Sequence, residues 1–467
     1  MRLRPKLYWI AVLYFAEGFP FGIAYDVWPV YFRKHGVSLA EIGLMSLLFL
    51  PYTLKPAWAP FVDRLGSRQM WIAICELVLA GITLVILGLD PTNTGWVLWT
   101  VLLSFTLFSA TQDIAIDAFA VDVSTPKHSG AINGMRVSAY RVGLLASGGL
   151  VLILADWLGW RAAWFAVAGV MVLMAFAAFT SPRVPRERAV KAPAASAGIW
   201  RIRAAAVAIA LGLLALAWWR GWGGLWVTFA VLGGAFAMAS FLDASLLKWA
   251  FRREMLVVVA FILLYKLPDS TIGRMIKTFW VDQGLSEAEI GVVSYAVGAV
   301  LTVAGALVGG AFTTRWGIFK ALLWMGVIQA MSNFGYVAVA ALHLPHAVLF
   351  ALPNGAPLTW HRIGIYSASM FESFAQGMST AAFLAFLTNL CDKEHGATQF
   401  AILSALFALT RDLAGAVTGF GVQEMGYAVF FAFTALLAIP PLALLPWVRP
   451  RIRVGDGEED ADEEYAT

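Results

Sequence analysis

Residues 110–149 read ATQDIAIDAFAVDVSTPKHSGAINGMRVSAYRVGLLASGG. The pattern predicts the end of one membrane helix, a short polar turn near Thr125, and the start of a second helix. Asp113 and Asp117 are four apart, so they share one face of the first helix. Arg136 and Arg141 lie on the second. Counted outward from the turn at about 1.5 Å per residue, acids and bases reach comparable depth, with Asp113 and Arg141 the deeper of each pair. A charge at bilayer depth costs about 3 kcal/mol or more unless it faces a partner or water. Four such charges on neighbouring helices are either a buried pairing network or the lining of a polar pathway.

The surrounding composition agrees. The 467 residues are 60% hydrophobic and 13% charged, with a mean hydropathy of +0.75. A soluble globular chain carries about 25% charged residues. Apolar runs of about 20 residues recur from end to end, which predicts an all-α polytopic protein embedded in a lipid bilayer. Cys75 and Cys391 stand far apart and predict neither a disulfide framework nor a metal site. The six histidines have no metal-ligand spacing, and there is no P-loop pattern. No cofactor, no metal, no catalytic constellation and no nucleic-acid partner is expected, and the chain is expected to be a monomer. MRLRPK followed by an apolar run holding Glu17 and Asp26 reads as a retained first helix rather than a cleaved signal.

Fourteen apolar segments emerge. Six lie at 7–32, 39–62, 69–90, 95–121, 130–155 and 158–180. A polar stretch, SPRVPRERAVKAPAASAG, reads as an exposed linker. Runs at 202–219 and 222–245 follow, then six more at 254–281, 288–313, 318–342, 363–391, 396–421 and 427–448. The expected organisation is a six-helix bundle over 1–180, a cytoplasmic linker over 181–201, an inserted helix pair over 202–245, a second bundle over 246–448 and a disordered acidic tail over 449–467. With the N-terminus inside, about 21 of the 33 Lys and Arg fall on the cytoplasmic side and about 5 outside. Both termini are therefore expected in the cytoplasm.

The chain repeats itself. YFRKHGVSLAEIGLMS (31–46) is echoed by FWVDQGLSEAEIGVVS (279–294), 248 residues on, and the same offset maps Pro20 onto Pro268. Arg141 in YRVGLLASG has a parallel in Arg411 of TRDLAGAVTG. Two parallel repeats are a common architecture of secondary transporters.

QDIAIDAFAVD, the turn and YRVGLLASGG together resemble helices four and five of the AmpG-type muropeptide permeases of the major facilitator superfamily, whose wider relatives include acetyl-CoA and siderophore permeases. Ala59–Arg68, APFVDRLGSR, resembles the superfamily's loop G-x-x-x-D-R-x-G-R-R, with Ala59 in place of the first Gly and Ser67 in place of an Arg. The resemblance implies a latch built on Asp63, Arg64, Gly66 and Arg68. It further implies a major facilitator fold of two six-helix bundles, enlarged here by the inserted pair. It also implies a bacterial inner-membrane importer of anhydromuropeptides.

The remaining intramembrane charges supply the candidate site. Glu17 precedes Gly18 and Pro20, where a helix kinks. It and Asp113 are candidates for carrying a proton, the proton gradient being the driving force. Lys55 lies between Pro51 and Pro56. Lys266 precedes a proline as Glu17 does, with Asp269 three residues on. Lys55, Asp113, Arg141, Lys266, Glu372 and Arg411 are the candidate substrate-binding residues. Asp117 and Arg136 are a candidate structural charge pair. Asp26 reads as a solvated mouth residue, and Arg274 and Lys277 as part of a basic funnel. The predicted function is secondary active transport of an anionic or zwitterionic small solute. Another acidic solute (a siderophore, an acyl-CoA or a drug), efflux instead of import, and a non-transporting receptor or scaffold are the alternatives.

Overall fold

The computed structural model describes residues 3–55, 58–59, 62, 66–123, 129–182, 255–342, 345, 347–351, 357–390 and 396–452. The inserted runs at 202–219 and 222–245, the linker beyond Pro182, the acidic tail beyond 452, and Asp63 and Arg64 lie outside these residues. The fourteen-segment count and the inserted pair therefore stand as expectations.

The described chain is almost wholly helical. α1 (Leu3–Gly22) holds Pro20 and passes through a π-helical turn at Ile23–Val27 into α2 (Trp28–Lys34). Proline withholds one N–H from the ladder, and the widened turn follows within a few residues. α3 (Leu39–Leu44) begins at Ser38, whose Oγ accepts from Glu41 N–H, and a 3₁₀ stretch joins it to α4 (Leu50–Leu54). α5 (Arg68–Gly88) is capped by Ser67 in the same way. Then come α6 (Trp96–Val123), α7 (Ser129–Leu145), a π turn at Ala146–Leu150 and α8 (Val151–Thr180). After residue 255 follow α9 (Leu256–Tyr265), α10 (Leu267–Asp282), α11 (Glu287–Gly291), a π turn at Val292–Val297 and α12 (Gly298–Ala341). A short antiparallel pair, β1 (Val348–Ala351) with β2 (Pro357–Thr359), leads into α13 (Trp360–Leu390), α14 (Gly396–Leu436) and α15 (Ile439–Val448).

Seven helical stretches are long and apolar enough to cross a bilayer. Three are too long to cross once: the 44 residues of α12 would span about 66 Å, twice a hydrocarbon core of about 30 Å. Each of the three is broken by a glycine in the left-handed region, Gly159, Gly317 or Gly426. The breaks turn seven stretches into ten crossings. The shorter Leu39–Thr53 and the more polar α13 bring the described crossings to twelve.

Those glycines carry the repeat into the backbone. Among the described residues six glycines have positive φ, and they form three pairs, Gly36 with Gly284, Gly66 with Gly317, and Gly159 with Gly426, at separations of 248, 251 and 267 residues. Only glycine adopts this conformation without a steric penalty, so the same corners are cut at matching places in both halves.

By contacts the chain divides into two compact units. The first comprises Met1–Asp243, Arg274–Ala296 and Gly415–Phe420; the second comprises Ala244–Gly273, Val297–Ala414 and Gly421–Thr467. These units do not follow the bundle boundaries expected from the sequence, because two pieces of the second half pack into the first unit. The first core gathers Ile10, Leu13, Ile72, Ile116 and Phe119; the second gathers Phe261, Ile262, Met325, Phe383 and Phe386. Small residues let helices approach closely inside each unit. A Cβ on Gly143 of α7 would lie 2.5 Å from the Phe15 carbonyl of α1. One on Gly309 of α12 would lie 2.7 Å from Met378 Cα of α13. Trp157, Phe176, Phe179, Leu307 and Trp447 are exposed, as lipid-facing side chains are.

Candidate functional site

In the first unit α1, α4, α6 and α7 bring three acids and two bases together. Carboxylate oxygens of Glu17, Asp113 and Asp117 lie within 4.8 Å of one another. Lys55 pairs with Asp113. Asp117 accepts from Arg136 at 2.6 Å and from the Tyr14 hydroxyl at 2.7 Å, and the Arg136 guanidinium lies 4.8 Å over the Tyr14 ring. Glu17 keeps one buried oxygen, Oε2, without a hydrogen bond. These acids are the one set of described residues spaced to hold a metal ion. Two of them already face a cation, so the charge left over suits a proton or one monovalent cation. Arg141 is exposed and makes no hydrogen bond or ion pair among the described residues. Geometry thus joins Lys55 with Asp113, and Arg136 with Asp117; Arg141 lies outside both pairs.

The three π turns converge elsewhere in this unit. Lys277 of α10 pairs with Asp26 in the first turn and donates to Tyr295 Oη in the third at 2.5 Å. The Tyr295 ring packs against Gly148 and Gly149 in the second. Arg274 lies 4.3 Å over the Tyr25 ring and 4.4 Å over Phe49. Asp26 is only 7% exposed and Arg274 only 4%. The expected solvated mouth and basic funnel are instead a packed joint, in which burial sets Lys277 onto Asp26 and Arg274 onto two aromatic faces. Beside it Arg33 grips Asp282 through Nε at 2.6 Å and Nη2 at 2.7 Å, and Lys34 lies 3.4 Å from Glu287.

The second unit holds its own cation. Lys266 sits at the break between α9 and α10, 4% exposed. Its ammonium bonds Asp269 at 2.8 Å, Ser379 Oγ at 2.9 Å and Thr380 Oγ1 at 3.2 Å. The three donors of the ammonium meet three oxygens, which is what keeps the charge tolerable there. A small cleft beside it is lined by Tyr265, Pro268, Asp269, Gln329 and Ser379 among others. Glu372 of α13 is buried; Arg411 Nε donates to the fully buried Asp412 at 3.1 Å.

In the loop that resembles the superfamily latch, Gly66 has the positive φ a tight turn requires. Arg68 reaches Asp122 at 3.4 Å. Tyr14, Ser379 and Thr380 were not singled out from sequence. Tyr14 precedes Glu17 by three residues, one helical turn, and that spacing was the available signal.

Twelve crossings in two repeat-related halves, with charges held inside, define a polytopic solute transporter. The comparisons agree. Residues 10–353 match the family model of the Major Facilitator Superfamily. The anhydromuropeptide permease of Escherichia coli (strain K12) is 30% identical over 95% of this chain and 79% of its own length. A putative transporter AmpG 4 of Rickettsia conorii is 25% identical over 96% of this chain and 98% of its own. The crystal structure of the peptide transporter POT in complex with sulfate superposes with a TM-score of 0.68 at 16% identity, covering 96% of this chain and 94% of that one. The chain belongs to the major facilitator superfamily, among its AmpG-type permeases. It is a multi-pass membrane transporter of a small-molecule solute, and its relatives are permeases rather than enzymes.

Proposed function

We propose that the chain carries anhydromuropeptides, GlcNAc-anhydroMurNAc peptides, into the cytoplasm by alternating access, driven by an inward proton gradient. The cargo reading is supported by the Escherichia coli relative, whose name states that cargo. Such solutes present peptide carboxylates and sugar hydroxyls. Lys55, Arg141, Lys266 and Arg411 offer cations to the former, and Asp113 and Glu372 offer acceptors to the latter. The observation that carries the proton reading is the cluster of three carboxylates facing two bases. One charge is in excess, and in a bilayer such an excess is relieved by binding a proton. Glu17 carries that proton, and Asp113 exchanges between it and Lys55. Asp117 and Arg136 hold the helices around them. Asp63, Arg64, Gly66 and Arg68 form a latch on the cytoplasmic side. The positive-inside distribution supports cytoplasmic termini in a bacterial inner membrane. The transporter works as a monomer and needs no cofactor.

The test is uptake of labelled GlcNAc-anhydroMurNAc-peptide into proteoliposomes, with and without an inward proton gradient. Native protein is compared with Lys266→Ala. Uptake that depends on the gradient and is lost in the variant supports the reading. If well-folded native protein leaves the label outside, the muropeptide assignment falls. Counterflow of a siderophore, an acyl-CoA or a drug would then identify another acidic solute. Absence of all four would point to a receptor or scaffold.

A further inference from the structure

A second buried acid lies next to the proton cluster and has no role in the function proposed above. Glu76 of α5 is 1% exposed. Its Oε1 accepts from Gln112 Nε2 at 2.8 Å, and the same nitrogen donates to the Ala16 carbonyl at 2.9 Å. Ala16 stands four residues before Pro20. Proline has no N–H, so the Ala16 carbonyl has lost its helical partner. Gln112 supplies the missing bond, at the residue preceding Glu17. Two atoms of the pair remain unsatisfied, Glu76 Oε2 and Gln112 Oε1. One is a carboxyl oxygen able to carry a proton and the other is an acceptor, so a proton on Glu76 satisfies both through one hydrogen bond.

Among the described residues Glu76 has no ion pair. Its own helix adds the Cys75 thiol, and α6 adds Asp113 beside Gln112. α1 adds Glu17 beside Ala16. α8 packs along α5, with Thr83 meeting Met171 and Gln69 meeting Pro182. Past its break α8 carries a single charged residue, Arg161, about 15 residues or about 20 Å along the helix from the level of Glu76.

We propose that Glu76 and Gln112 form a neutral acid–amide lock, with the proton on Glu76, that positions the α1 turn bearing Glu17. Glu76 acts through Gln112 and is a positioning residue; its service to proton coupling rests on the reading of Glu17 given above.

Two measurements test it. The first is infrared difference spectroscopy of the full chain in lipid at neutral pH, native against Glu76→Gln. The lock predicts a protonated-carboxyl C=O band in the native protein that vanishes in the variant. An unchanged spectrum means that Glu76 is ionised, and the proposal fails. The second is proteoliposome uptake across a pH series. Glu76→Gln keeps native uptake and pH profile, because an amide also bonds Gln112 without charge. Glu76→Ala and Gln112→Leu each lose uptake about tenfold and shift the profile, the effect of one missing buried hydrogen bond. If Glu76→Gln is as damaged as Glu76→Ala, the proton must leave Glu76 during transport and the lock is wrong. If native protein moves no muropeptide while the infrared band behaves as predicted, the cargo reading fails and the lock stands.

Discussion

Glu17 and Lys266 fall one position apart in the repeat, three and two residues before its matched prolines, yet their surroundings differ. Lys266 meets three oxygens, whereas Glu17 keeps a buried oxygen bare. A satisfied ion suits a fixed role and a bare acid suits a changing one. Glu17→Gln is therefore expected to preserve solute counterflow and to abolish acceleration by a proton gradient, read by uptake with the gradient imposed or collapsed. Lys266→Met strands the Asp269 carboxylate and is expected to cost about 3–5 kcal/mol, the penalty of breaking a buried pair. Lys266→Met with Asp269→Leu removes both charges and is expected to recover most of that loss in thermal unfolding. At this scale the sequence was informative about residue types. Asp117 and Arg136 were legible as neighbours from turn counting, and they lie 2.6 Å apart. For Arg141 the same counting gives only its level, since depth fixes a place along the membrane normal but not an azimuth around the helix. Asp26, read as solvated from its position near a helix end, is buried against Lys277, a partner 251 residues away that no local pattern announces.

The crossings themselves were legible because a bilayer demands runs of about 20 apolar residues. Less legible was how they touch. Hydropathy treats glycine as a neutral residue, while the structure uses it for contact: Gly143 lies against α1 and Gly309 against α13. The π turns were equally hidden, although Pro20 warned of the first. Gly143→Leu is expected to force α1 and α7 apart, since the obstructing atom is backbone and cannot rotate away. The loss should appear as a lower yield of monodisperse protein, with Gly310→Leu, which meets nothing within 4 Å, as the unaffected control.

Over the whole molecule the repeat is visible in sequence, in the paired glycine corners and in the crossing count, but the compact units cut across it. Residues 274–296 leave their own half because they carry the partners of the first π turn and of α2: Lys277 for Asp26 and Asp282 for Arg33. Arg33→Asp is expected to set two carboxylates face to face and to lower both thermal stability and uptake. Adding Asp282→Arg restores the pair in reverse, and most of both losses should return; recovery of neither would mean that the bidentate contact is incidental. The repeat offset of 248 gives this joint a further consequence. Asp26 corresponds to Arg274, and Lys34 to Asp282, so equivalent places hold opposite charges. A first half paired with a second copy of itself would set Arg33 against Lys34. Tandem duplication yields two copies that begin identical, and a sign reversal at this seam makes each copy prefer its sibling to its twin. The inversion thus sets like charges face to face wherever one first half meets another in that register.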